Sequence, residues 1–197
     1  MNGDDSWPGW VVEPLTRAGV SIAAAWGFAE ATLWFVVPDV VVGAVALLAP
    51  PRWWRAATAA VVASLLGGLV LFAVASAAGE GTREVVAAVP GISGEMVADV
   101  GEQLDAHGGS ALVRAPLSGV PYKVYVVEMA DRSWNVLSFS GWSLPSRMLR
   151  IVPVAAAAAL VGSRLQGFIR RHLGLVVGAY TVGWLVLYTF YFRAVGL

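Results

Sequence analysis

Glu30-ATLWFVV-Pro38-Asp39-VVVGAVALLAP, residues 30–50, sets two carboxylates and a proline inside an otherwise apolar run. A second stretch, Arg114-APLSGV-Pro121-Tyr122-Lys123-VYVVEMA, residues 114–130, has the same character but leads with cations. A charge at membrane depth costs about 2.5–3.5 kcal/mol on insertion scales, so each such residue is by default a functional-site hypothesis. Proline cannot donate its backbone hydrogen bond, and irregular backbone survives at that depth only where protein buries it or water fills a cavity. The two stretches therefore predict re-entrant hairpins over 30–50 and 111–131, turning at Pro38 and at Gly119 with Pro121.

The rest of the chain supplies the membrane frame. Hydrophobic residues make up 58% of the 197 and charged residues 13%, with a mean hydropathy of +0.71. Soluble domains carry about 25% charged residues, so this chain lacks the polar surface to dissolve in water. Its formal net charge of zero gives no footprint for nucleic acid. The absence of cysteine excludes disulfides, thiolate metal sites and a cysteine nucleophile. No basic n-region precedes an apolar core at the start, so no cleavable signal peptide is expected.

Residues 1–17 read as a polar or interfacial arm, with Trp7 and Trp10 suited to the headgroup level. Residues 18–29 are apolar but too short to span alone. Residues 56–79 carry no charge and predict a spanning helix, with Ala60, Ser64, Gly67 and Gly68 as a close-packing face. Over 80–109 the acids outnumber the bases. Ile92, Met96, Val97, Val100 and Leu104 recur there at helical spacing, which predicts an amphipathic helix with a solvated acidic face. Pro145 is expected to open a span over 145–163 that carries Arg147 and Arg150 in its first two turns, and 173–193 is the closing span. The 52–55 and 164–172 loops are basic, so the positive-inside rule puts both in the cytoplasm and the acidic stretch outside.

Two acids, Glu30 and Asp39, thus face four bases, Arg114, Lys123, Arg147 and Arg150. Buried charges are retained when paired and hydrogen-bonded, which favours hairpins set face to face. The surplus positive charge suits a phosphate, bound by the arginine fork and the lysine point charge. A desolvated carboxylate beside it can exchange protons at cellular pH. Glu128 is read as a local partner of Lys123.

In these residues the chain resembles the DedA family of bacterial membrane proteins, also called the SNARE-associated or VTT domain, and its YqaA-like branch most of all. The glutamate, apolar run, proline and acid of the family's first motif match Glu30, Pro38 and Asp39. The Gly-Gly pair matches Gly67-Gly68, and the second motif matches Arg114, Gly119, Pro121 and Lys123. The later arginine pair matches Arg147 and Arg150. Asp39 replaces a more usual glutamate, and Glu128-Met129-Ala130 stands where small residues are common. The resemblance covers roughly residues 20–165, within a membrane domain taken as 18–165, and implies an all-α integral membrane protein with two opposed re-entrant hairpins in a bacterial cytoplasmic membrane. It further implies flippase- or scramblase-like movement of a lipid such as undecaprenyl phosphate or a phospholipid, with proton coupling. The residues themselves suggest no cofactor and no metal, and an oligomer is compatible with them.

Three other classes compete. The same hairpins could serve a structural or assembly factor that moves nothing. A lipid-phosphate enzyme would need a nucleophile or metal set, but His107 and His172 fall in loops assigned to opposite sides, and Ser138-Phe139-Ser140-Gly141 has no accompanying base. A channel fits poorly, because mixed charge at a broken hairpin predicts occluded binding.

Overall fold

The computed structural model describes residues 9–195; Trp7 and the first part of the expected arm lie outside the described residues. In chain order the helices are α1 (Gly9–Thr32), α2 (Asp39–Leu48), α3 (Trp53–Ala78), α4 (Glu80–Ala87) and α5 (Gly94–His107). They continue as α6 (Ser110–Ser118), α7 (Tyr122–Asp131), α8 (Val136–Arg164), α9 (Gln166–Arg171) and α10 (Leu173–Val195). Among the described residues there is no strand, and the protein is all helical. Among the described residues three helices are long and apolar enough to cross a membrane: α3 with the short 3-10 turn before it, α8, and α10. α2 and α7, at 10 residues each, are about 15 Å long, half the thickness of a hydrocarbon core.

Two helices start earlier than the sequence suggests. α1 takes in residues 9–17 of the expected arm, and the apolar stretch 18–29 is the body of this 24-residue helix. Glu13 and Arg17 pair across one turn at 3.2 Å, as an i, i+4 pair should. α8 opens at Val136, not at Pro145, because the Asn135 side chain caps it by accepting from the Ser138 N–H at 2.8 Å. Pro145 and Pro153 then lie inside the helix, and each leaves the carbonyl four residues earlier, on Gly141 and Leu149, without its usual donor.

α3 and α8 form the frame, and the two short helices fill it from opposite ends. α2 packs Val42, Val45 and Ala46 against Ala56, Ala57 and Ala60 of α3 and Ile151 and Ala155 of α8. α7 is buried along Tyr122 to Ala130 and joins Leu71 and Phe72 of α3, Leu112 of α6 and Phe139 of α8. Phe72 and Phe139 stack at 4.6 Å between ring centroids. α5 turns Val97, Val100 and Leu104 into this second cluster while Glu95, Asp99, Glu102 and Asp105 stay exposed.

α1 and α3 touch backbone to backbone. A Cβ at Gly27 would lie 2.7 Å from the Ala60 carbonyl oxygen, and one at Gly67 would lie 2.6 Å from that of Phe28. Only small residues permit such an approach. The Ser64 hydroxyl donates across the contact to the Gly27 carbonyl at 3.0 Å.

Candidate functional site

Each short helix begins just after a break in the chain. Residues 33–38 separate α1 from α2, with Pro38 at the N-cap and Asp39 as the first helical residue. Such backbone has lost its helical partners and needs others. Trp26 of α1 donates its ring N–H to the Val36 carbonyl at 2.9 Å. Lys123 of α7 donates to the Trp34 carbonyl at 2.8 Å, and the Val37 N–H donates to the Tyr188 hydroxyl oxygen of α10, also at 2.8 Å. At the second break Gly119 adopts φ +77°, the left-handed conformation that ends α6, and Pro121 is extended at the N-cap of α7.

Between the breaks two ion pairs join the first to α8. Arg147 donates through Nη2 to Glu30 at 2.5 Å and reaches the Ser64 hydroxyl at 3.3 Å. Both members of this pair are almost fully buried, at 5% and 6% side-chain exposure. Arg150 donates through Nε to Asp39 at 2.8 Å and keeps 29% of its side chain exposed, against 4% for Asp39. The Arg147 guanidinium also lies 4.5 Å from the centre of the Tyr122 ring, and the Tyr122 and Ser143 hydroxyls bond to each other. Lys123, bonded to the Trp34 carbonyl of the same break, brings the charged groups of this cluster to five. Two buried polar atoms in it have no hydrogen-bond partner, Asp39 Oδ1 and Arg147 Nε.

All five charged side chains line one cavity of about 480 Å³, together with Pro38, Gly119 and Pro121. Its walls also include Phe35 and Val37 of the first break, Ala115 to Leu117 of α6, Val120 of the second break, and Trp184 and Tyr188 of α10. Glu30 and Ser64 meet Arg147 near the middle of α3 and α8, so the charges sit at half height between the ends of two helices able to cross a membrane.

Arg114 is not part of this arrangement. It stands exposed on α6, whose Ala111, Leu112 and Ala115 take the buried face, and it does not line the cavity. The tally in the cavity is therefore two acids against three bases. Glu128 is not the partner of Lys123 either. It is 1% exposed and pairs with Arg132 at 2.5 Å, while Arg83 Nε stands 2.9 Å from its other oxygen without the alignment of a hydrogen bond. Arg132 also bonds Asp105 at 3.0 Å, which ties α4, α5 and α7 together away from the cavity. That bond holds the Asp105 carboxyl below its ordinary value.

Several participants carried little signal in the sequence. Ser64 looks like one small residue in a packing stripe, yet it bonds both the α1 backbone and Arg147. Ser143 lies just before the span expected to open at Pro145, and the α10 tyrosines sit in a stretch that reads as plain apolar span. Tyr180, Tyr188 and Tyr191 do share one helical face, a pattern visible in hindsight. Ser140 of the suspected serine motif only donates to the Val136 carbonyl of its own helix.

No protein-family model matches the chain, and neither a curated protein nor a solved structure does.

Proposed function

We propose that the protein moves a phosphate-bearing lipid between the leaflets of a membrane, as the DedA resemblance implies, and that its two broken helix pairs are re-entrant. The observation that carries this reading is the charged cavity between the breaks, at half height of α3 and α8. Charges at that depth are expensive, and where they occur they mark substrate or ion pathways, proton relays or voltage sensors. Paired broken helices that meet at a polar site are the usual construction of secondary transporters.

After the Glu30–Arg147 and Asp39–Arg150 pairs are counted, Lys123 leaves one positive charge over. A phosphate oxygen entering the cavity would take the remaining N–H groups of Lys123 and the unpartnered Arg147 Nε. Competition for the arginines would release a carboxylate, which then takes a proton from water. Asp39 has an open oxygen for it at Oδ1. The phosphate leaves when the carboxylate loses that proton and recaptures its arginine. Apolar side chains at the rim, Leu149, Val154 and Leu187, leave the lipid tail in hydrocarbon.

One observation favours the assembly role instead. Glu30 and Arg147 already pair with each other in near-complete burial, as a simple staple would. Leaflet exchange in proteoliposomes separates the two, using a fluorescent phospholipid and a polyprenyl phosphate with and without a pH gradient. Transport predicts exchange that collapses in Glu30→Gln and Asp39→Asn but survives in Arg114→Ala. Equal exchange in wild type, variants and empty vesicles, with every protein inserted, would overturn it in favour of the staple.

A further inference from the structure

α10 reads from sequence as a closing anchor, and by exposure it is one, since none of its most apolar window is buried against the protein. Its polar contacts tell otherwise. Tyr188 accepts from the Val37 N–H at 2.8 Å, and Tyr180 donates to the Val40 carbonyl at 2.8 Å with the Asp39 carbonyl 3.4 Å away. The two hydroxyls thus grip the main chain on both sides of Asp39. The Val37 N–H precedes Pro38 and α2 and takes the Tyr188 oxygen rather than a carbonyl of either helix. Trp26 and Lys123 serve carbonyls of the same break, so neither replaces this acceptor. Gly43 makes room for the grip, for a Cβ there would stand 2.5 Å from the Tyr180 hydroxyl.

We propose that Tyr180 and Tyr188 are positioning residues that hold Asp39 against Arg150, so that α10 is a working wall of the site. The inference rests on the reading of Asp39 as a working carboxylate. Its geometry can be tested without any transport assay. A hydrophobic carbodiimide reacts with protonated carboxyls in membranes, and mass spectrometry then counts the labelled fraction at Asp39 and Glu30 in the same sample. An Asp39 that drifts from Arg150 holds its proton and labels faster.

Losing one hydrogen bond shifts such an equilibrium about fivefold. Tyr188→Phe should raise Asp39 labelling by about that factor, and Gly43→Ala should do the same from α2 by displacing the Tyr180 hydroxyl. Glu30, held by Arg147 on another side, should label as in wild type. Thr189→Ala removes an α10 hydroxyl that bonds only the Leu185 carbonyl of its own helix, and should change neither. Unchanged Asp39 labelling in both Tyr188→Phe and Gly43→Ala would overturn the proposal. So would an equal rise in Thr189→Ala, which would mean general loosening of the helix. A wild-type protein that exchanges no lipid yet shows the labelling pattern would sink the transport reading and leave the positioning role standing.

Discussion

Glu30 and Arg147 show how much one proton or one amide can matter in this interior. Breaking a buried pair by removing one partner costs about 3–5 kcal/mol, because the other charge is left uncompensated. Replacing both with apolar residues of similar size is often neutral. Glu30→Gln should therefore destabilise the protein by about that amount in equilibrium unfolding from mixed micelles. The double variant Glu30→Leu, Arg147→Met, apolar on both sides, should recover most of the loss. A double variant as unstable as the single would show that Arg147 is held mainly by Ser64 and the Tyr122 ring. Arg114→Ala, on an exposed surface, should stay within about 0.5 kcal/mol of wild type. Glu30, Pro38 and Asp39 were legible because each violates the apolarity around it. Arg114 violates it equally and still turns outward. α6 is 9 residues long with Pro116 inside it, too short for periodicity to settle which face the arginine takes.

Among elements, the frame was easier to read than its joints. α3 announces itself by an unbroken apolar run, and its small residues do mark the contact with α1. Gly67→Val should cost about 1–3 kcal/mol or more, since the Phe28 backbone cannot yield as a flexible side chain would, and loss of the α1–α3 contact is the measure. The start of α8 was misread because Pro145 is the louder signal and the Asn135 cap the true one. α5 shows what periodicity can and cannot say. Its apolar face was evident, whereas the Arg132 tie to Asp105 links residues too far apart in sequence to be inferred. Arg132 depresses the Asp105 carboxyl, so this tie is complete above the ordinary aspartate range near about 3.9 and is lost as pH falls through the lower folded value. Hydrogen exchange over 94–107, corrected for intrinsic rates, should show α5 losing protection on acidification through that window. Asp105→Asn should lower protection at neutral pH and flatten the acid response. An unchanged profile would mean that Val97, Val100 and Leu104 hold α5 by themselves.

At the scale of the molecule the charges separate by end, and this bears directly on orientation. Gly162, near the end of α8, packs so closely on the Leu47 carbonyl and the Pro50 ring that a Cβ would stand 2.9 Å from Pro50. The contact brings the Arg52–Arg55 turn to the same end as Arg164 and the α9 arginines, although more than a hundred residues separate them in the chain. α3 then carries the chain away from this end to α4 and α5, where the exposed acids lie. Positive-inside logic treats each loop separately, whereas here the packing ties the two basic loops together. They must share a side of the membrane whichever side that is. The chain has no native cysteine, so single thiols can be placed at will. Arg55→Cys and Arg171→Cys should react with an impermeant maleimide from one side of oriented vesicles, and Asp99→Cys from the other, with the first two on the cytoplasmic face. Reaction of Arg55→Cys and Arg171→Cys from opposite faces would mean that α8 does not return alongside α3. The half-height position of the Glu30–Arg147 pair, on which the transport reading depends, would fall with it.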